Sequence, residues 1–264
     1  MTHLSRLPIA ILLGTLCVAL FLGCEDRTTA ELSPAVTALE RYYPLELNRP
    51  SYYHVDSIVL TNTIGGIRYD TATLEARETL VETFVGADGT TLYRGERWER
   101  AEGAADFTFK QSFTVERNTR SVIRSEDNLT FVKLVAPIRR GERWDGNVGF
   151  DAERSIAVGG EFLDVYRYWD YRYATVDTAL TLGTGVALDS VVVVRQADEE
   201  NFIELRNAYE YYAPGIGLVE RFIDARHTQY RVCCNGNTSA GAGLSWDEKA
   251  EKGYIIRQIF LRRE

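Results

Sequence analysis

Two adjacent cysteines, Cys233 and Cys234, offer the most accessible chemistry in this sequence. Neighbouring cysteines form a vicinal disulfide, stay as two thiols, or bind a metal or a second molecule, and all three alternatives are open. A vicinal disulfide is strained, because a trans peptide holds the Cα atoms about 3.8 Å apart and ordinary disulfides span about 4.4 to 6.8 Å. Asn235-Gly236-Asn237 predicts a tight turn directly after the pair, where a distorted peptide is tolerated.

A short segment dense in aromatic residues offers a second kind of chemistry, a surface on which a sugar or another apolar ligand stacks. Its candidate ligand-facing residues are Tyr166, Tyr168, Trp169, Tyr171 and Tyr173. The same density is typical of an ordinary β-strand, because aromatic rings fit a pleated, half-buried surface. Rings occupy both sets of alternate positions, so either both faces of this strand are covered or one face lines a concavity.

Sequence patterns for catalysis and for metal binding are absent. His54 and His227 do not share the close spacing of zinc ligands, and no nucleophile elbow, phosphate loop or dinucleotide fingerprint occurs. Asp145 to Asp151 places oxygen ligands at alternate positions, but Ile156 stands where a calcium loop needs its chelating glutamate. We therefore expect no catalytic residue, no metal and no cofactor, and a protein that is not an enzyme.

The N-terminal segment carries a targeting signal. Arg6 precedes an apolar stretch over residues 7–23, and Leu22-Gly23 leads directly into Cys24. A positive residue, an apolar stretch and a small residue describe a secretory signal. The ending resembles the lipobox of bacterial lipoproteins, which implies cleavage before Cys24 and attachment of acyl chains, palmitate among them. A soluble secreted protein and an uncleaved anchor are the alternatives, although the apolar stretch is at the lower length limit of a membrane span.

Composition places the rest of the chain among ordinary globular proteins. The 264 residues are 45% hydrophobic and 26% charged, which excludes a disordered, collagen-like or coiled-coil chain. The net charge is −8, and a nucleic-acid partner is disfavoured because phosphate binding needs a basic surface.

Hydrophobic alternation predicts strand after strand beyond residue 50. Apolar residues alternate with polar ones from Phe107 to Val115, as in a strand with one buried face. Leu80 to Val85 and Thr90 to Trp98 flank Asp88-Gly89, which is a hairpin signal. Because no amphipathic helices separate the strands, the predicted class is all-β. We expect a single large curved antiparallel sheet or half-barrel of about ten to twelve strands in meander order, after a short N-terminal tether.

Three segments follow from this reading: a signal peptide over 1–23, a lipidated N-terminus and tether over 24–50, and an antiparallel β domain over 51–264. Pro34 is placed to open a short helix within the tether. The Gly-rich stretch 141–160 joins either two halves of one sheet or two subdomains, and we expect one continuous domain. An acidic turn is expected at Asp198 to Asn201, and 236–252 is expected to be an exposed, mobile loop.

Several short segments carry a family resemblance. They are Tyr42-Tyr43-Pro44-Leu45, Tyr53 to Ile58, Lys133 to Pro137 with Trp144 after it, and Tyr212 to Val219. Together they resemble a group of bacterial outer-membrane or surface lipoproteins that have no assigned activity. The resemblance implies an envelope location and an all-β mature domain, and it implies no catalytic residue.

Three functions are compatible with these features. The sequence favours a membrane-anchored envelope lipoprotein, at the outer membrane, with a non-catalytic binding or structural role toward an envelope protein partner. The alternatives are a carrier of a lipid or other apolar ligand in a curved-sheet cavity, and a hydrolase whose site is not visible in sequence. An apolar concavity favours the carrier, convergent acids favour the hydrolase, and an exposed apolar patch favours a protein partner.

Overall fold

The computed structural model describes residues 34–264, so Cys24 and the signal peptide lie outside the described residues. Within this range the chain forms one twelve-stranded antiparallel sheet that is nearly closed and barrel-shaped, and a separate two-stranded hairpin. The predicted all-β class and the meander order are confirmed. No helix of the described residues is long and apolar enough to cross a membrane.

Fourteen strands and four short helices make up this part of the chain. The strands are β1 (Ser51–Thr63), β2 (Gly66–Val85), β3 (Thr91–Ala101), β4 (Thr108–Arg117), β5 (Ser121–Glu126), β6 (Leu129–Val135), β7 (Arg143–Trp144), β8 (Ile156–Val158), β9 (Glu161–Leu163), β10 (Tyr171–Thr181), β11 (Ala187–Glu200), β12 (Glu204–Ala213), β13 (Gly217–His227) and β14 (Lys252–Arg263). The helices are α1 (Pro34–Tyr42), α2 (Arg231–Cys234), α3 (Thr238–Gly241) and α4 (Trp246–Lys249).

The chain enters the sheet in its middle. The strand order is β6-β5-β4-β3-β2-β1-β14-β13-β12-β11-β10-β7, so β1 pairs with both β2 and β14. The two outermost strands, β6 and β7, approach each other. The Val132 amide donates to the Gly146 carbonyl at 2.8 Å, and the Trp144 indole donates to the Val132 carbonyl at 2.8 Å. These two bonds nearly close the sheet on itself.

The connection from β6 to β10 covers one end of the barrel-shaped sheet and contains the β8–β9 hairpin. Leu163 and Val165 are buried and pack with Ala225 and Tyr254 on the sheet. The stretch 141–160 therefore joins two halves of one sheet, and Leu163 and Val165 after it pack against residues of β13 and β14.

Helix α1 begins at Pro34, as predicted, and packs on the sheet. Leu39 and Tyr42 are buried in the largest apolar cluster, together with Phe113 and Leu218. The Tyr42 hydroxyl donates to the Ser190 carbonyl at 2.8 Å. Residues expected to be a tether thus contribute to the core from Leu39 onward.

Strand β4 departs from the predicted alternation because it contains a bulge. Arg97 pairs with Gln111 while Trp98 pairs with Phe109, so Lys110 is an extra residue on β4. Because of this extra residue, the β4 side chains before Lys110 point to the faces opposite to those that strict alternation predicts. Phe113 is therefore buried inside, whereas Phe109 is exposed and packs edge-on against Trp98.

Two loop expectations were also wrong in detail. Asp198, Glu199 and Glu200 belong to strand β11, and the turn comes after them. The segment expected to be a mobile loop contains helices α3 and α4 and is anchored. Trp246 is buried, and its indole donates to Glu200 Oε1 at 2.9 Å. An apolar cluster beneath this segment fixes it to the sheet.

Candidate functional site

A cavity of about 560 Å³ lies inside the barrel-shaped sheet. Residues that pair across neighbouring strands form rows along the cavity wall. Arg221 of β13 pairs with Gln258 of β14, and the next inward pair along the same strands is Ile223 with Ile256. Tyr254 follows in the row after that, facing the cavity. The cavity therefore has a polar floor and an apolar upper wall, and its volume is typical of a small-molecule site.

Further apolar residues of the wall come from β1, β2, β6 and the connection between β6 and β10. They are Val55, Val59, Leu74, Leu129, Phe131, Ile156, Val158, Tyr166 and Trp169. Five of them, Val59, Ile156, Val158, Tyr166 and Trp169, pack in the same apolar cluster as Leu163 and Val165, so this part of the wall is formed by the fold itself.

The floor of the cavity belongs to a chain of alternating acids and bases that crosses the interior, which we call the interior ion chain. In order of contact its members are Glu99, Arg97, Glu78, Arg124, Glu126, Arg221, Glu210 and Lys133. Its successive nitrogen–oxygen distances are 2.7, 2.9, 2.9, 2.8, 3.6, 2.8 and 2.7 Å. Four acids balance four bases, so the interior is neutral as a whole.

Glu210 is the most enclosed acid of the interior ion chain, with a side chain 1% exposed. It accepts hydrogen bonds from Lys133 at 2.7 Å, from Arg221 at 2.8 Å and from the Tyr212 hydroxyl at 2.6 Å. Burial alone raises the pKa of a carboxyl. Here the charges of Lys133 and Arg221 and these hydrogen bonds outweigh burial and lower the pKa of Glu210 to about 2. Glu210 is therefore ionised at neutral pH.

For Lys133, the effect of burial on the pKa outweighs the effect of the neighbouring carboxylate. Burial lowers the pKa of its ammonium, and the neighbouring Glu210 carboxylate opposes that shift. Its Nζ also lies 5.0 Å from the centroid of the Phe131 ring, a cation–π distance. The ammonium is thus held between one carboxylate and one aromatic face at the edge of the cavity.

The predicted aromatic residues are divided among three environments. Tyr166 and Trp169 line the cavity. Tyr171 and Tyr173 are fully buried in the apolar cluster instead, because they belong to strand β10 and face the core. Tyr168 is 49% exposed at a position with positive φ. The proposed ligand platform is thus reduced to two of its five rings.

Cys233 and Cys234 form a disulfide within helix α2, with Cα atoms 3.8 Å apart. Cys233 is exposed, and Asn235 directly after the pair adopts the left-handed conformation expected of a tight turn. The pair lies on the segment between β13 and β14 and does not contribute to the cavity wall. It is therefore a separate feature of the surface.

Sequence reasoning did not identify the members of the interior ion chain. Leu129, Phe131 and Lys133 share one face of β6, and Val122, Arg124 and Glu126 share one face of β5. That mixture of charged and apolar residues at alternate positions was the available signal. Among the described residues no three His, Cys, Asp or Glu side chains come together in a way that holds a metal ion.

No family model and no curated protein sequence matches the chain. Among solved structures, the chain is similar to the crystal structure of a predicted lipoprotein from Parabacteroides distasonis ATCC 8503. The sequence identity is 8% and the TM-score is 0.41, and the match covers 85% of this chain and 98% of that chain. The function of this chain is therefore inferred from its own residues.

Proposed function

We propose that the β domain binds a small apolar or amphipathic ligand inside its sheet without transforming it. The observation that supports this proposal is the cavity of about 560 Å³ with its apolar upper wall. Pockets of this size and lining bury most of a small ligand's surface, and apolar burial contributes about 25 cal/mol per Å². This favours the carrier alternative over a role limited to contact with a protein partner.

A non-catalytic role is part of the proposal. General acid–base catalysis works best with a group whose pKa lies near the working pH. The pKa of Glu210 is about 2, and its oxygens are already occupied by Lys133, Arg221 and Tyr212. Acids paired in this way stabilise the interior, and Glu99, Glu126 and Glu210 beside the cavity are all held by neighbouring bases.

The proposal also places the protein at the cell envelope, anchored in the outer membrane through lipid on Cys24. The lipobox-like ending before Cys24 supports this location. Several acyl chains on one residue give stable anchoring, whereas one chain alone is marginal.

Ligand binding is tested with the soluble chain from residue 25 onward. Native mass spectrometry is expected to show a co-purified small molecule. Titration with N-phenyl-1-naphthylamine, a neutral apolar fluorophore, is expected to give saturable fluorescence. Ile256→Trp fills the cavity and should abolish that signal, whereas Ile255→Trp, on the opposite face of the same strand, should retain it. Absence of both the co-purified mass and the fluorescence response would contradict the proposal.

A further inference from the structure

The ionisable residues around the cavity are balanced in charge. The bases are Arg97, Lys110, Lys133 and Arg221, and the acids are Glu99, Glu126, Asp127 and Glu210. We infer that the ligand of this site is electrically neutral and carries a hydroxyl or amide head group on an apolar chain. This inference rests on the proposed function and specifies the class of ligand that the cavity takes.

The pairing of the charges excludes a charged head group. The carboxylate of Glu210 already holds both Lys133 and Arg221, and Arg221 also faces Glu126 at 3.6 Å. A ligand carboxylate at the floor would meet these acids with no free base to receive it. A ligand ammonium at the floor would meet Lys133 and Arg221, and the nearby carboxylates of Glu126 and Glu210 are already paired. An unpaired charge taken out of water carries a desolvation cost that offsets the gain from burying a short apolar chain.

Two glutamines supply uncharged hydrogen-bonding groups at the floor. Gln196 and Gln258 both line the cavity and are 1% and 2% exposed. Gln258 Oε1 accepts from Arg97 at 2.9 Å, which leaves Gln258 Nε2 without a partner, and Gln196 Oε1 is likewise unpaired. A hydroxyl or an amide both donates and accepts, so it can pair with whichever of these atoms it reaches. Buried polar atoms that stay unpaired are unfavourable, so a ligand that pairs them gains affinity.

The apolar chain of the ligand lies along the upper wall. Ile223, Ile256 and Tyr254 continue upward from the floor along β13 and β14, and Val59 lies beside Tyr254 on β1. The arrangement fixes the orientation of an amphipathic ligand, with its head near Gln258 and its chain beneath the β8–β9 hairpin.

The test compares three ligands of equal chain length that differ only in head charge: monomyristoylglycerol, myristate and tetradecylamine. Each competes with N-phenyl-1-naphthylamine for the soluble chain from residue 25. The neutral glycerol ester is expected to compete at a concentration at least about tenfold lower than either charged compound. Equal or stronger competition by myristate or by the amine would overturn the inference. If the fluorophore itself does not bind, the proposed function fails, and this outcome is distinct from a wrong ligand class.

A charge variant tests the inference independently. Glu99→Gln removes one acid from the cavity rim while Arg97 keeps its contacts with Glu78 and Gln258. Myristate competition is expected to improve about tenfold, with monomyristoylglycerol unchanged. Glu96→Gln on the same strand is the control, because Glu96 pairs with Arg94 and lies outside the cavity lining. An unchanged response to myristate in a folded Glu99→Gln protein would contradict charge balance as the determinant.

Discussion

Lys133 Nζ and Glu210 Oε1 lie 2.7 Å apart, although the two residues are 77 positions apart in the chain. Lys133 is on β6 and Glu210 is on β12, and these strands are not neighbours in the sheet. The ion pair therefore crosses the interior and joins the two halves of the sheet. Val132, next to Lys133 on β6, makes the two hydrogen bonds that nearly close the sheet.

Removal of one partner of this ion pair should destabilise the domain strongly. Glu210→Gln leaves Lys133 and Arg221 with no carboxylate between them, and breaking a buried ion pair costs about 3 to 5 kcal/mol. Urea denaturation measures the change in the free energy of unfolding. Glu46→Gln, which breaks the exposed pair with Arg49, is the control and should change stability by less than about 1 kcal/mol. A similar small effect of both variants would show that the interior pair has no structural role.

Stability should fall between pH 6.5 and about 4 because of His227. Burial of the ring, with Lys252 and Arg206 nearby, lowers the pKa of His227 from 6.5 to about 4. The unfolded chain binds the proton more readily in this window, so the contribution of His227 is present above pH 6.5 and is lost as the pH falls. We expect about 1 kcal/mol, after discounting for the partial exposure of the ring. Urea midpoints at pH 7 and pH 4.5 should differ less in His227→Gln than in the wild type. Identical pH slopes would contradict this assignment.

Gly95 should not tolerate a side chain. A Cβ atom at this position would lie 2.2 Å from the ring of Phe113, which pairs with Gly95 across β3 and β4. The ring cannot retreat freely, because the Arg124 guanidinium lies 3.8 Å from its centroid on the interior side. Gly95→Ala is expected to cost about 1 to 3 kcal/mol. Gly65→Ala, where no atom lies within 4 Å, should change the melting temperature little, and equal effects would refute the packing argument.

The adjacent cysteines should behave as a reducible surface disulfide that adds little to global stability. It closes almost no loop, and the stabilisation by a disulfide grows with loop length. Alkylation before and after mild reduction, followed by peptide mass analysis, should label Cys233 and Cys234 only after reduction. The double Cys→Ser variant should retain the melting temperature of the wild type. Labelling of both thiols without reductant would show that the disulfide is absent. A large loss of melting temperature in the double variant would show that the disulfide stabilises the fold.

Lipidation should depend on Cys24. Cells that express the full chain are fed an alkyne-tagged palmitate analogue, and the protein is expected to carry the tag because Cys24 directly follows the apolar stretch. Cys24→Ser should abolish the label. The double variant of Cys233 and Cys234 is the matched control and should keep it. Labelling of Cys24→Ser at the wild-type level would rule out the lipoprotein assignment.

Local patterns predicted the strands because the alternation of apolar and polar residues in a strand depends only on that strand's own sequence. The hairpin between β2 and β3 and the helix that begins at Pro34 were both recognisable in this way. The bulge at Lys110 was not, because it depends on pairing with β3. The environment of Tyr171 and Tyr173 could not be predicted for the same reason, since alternation does not tell which face of β10 meets the core.

The interior ion chain lay beyond sequence analysis because its contacts join distant strands. Charged residues in a strand are ordinarily assigned to the solvent face. Arg124 and Glu78 are 46 positions apart, and only the curvature of the sheet brings them within 2.9 Å. The signal on β5 and β6 indicated that charges share a face with apolar residues, but it did not identify their partners.

The pairing of β1 with β14 has a consequence for biosynthesis. Ser51 pairs with Arg263, so β1 gains its second neighbouring strand only after residues 252–263 have been synthesised. Until then β1 and β13 are both open edges, and unpaired strand edges invite pairing with other chains. Contacts so distant in sequence also slow folding. The order of strands is therefore completed only when residues 252–263 have been made, and the partly formed sheet depends on protection from aggregation until then.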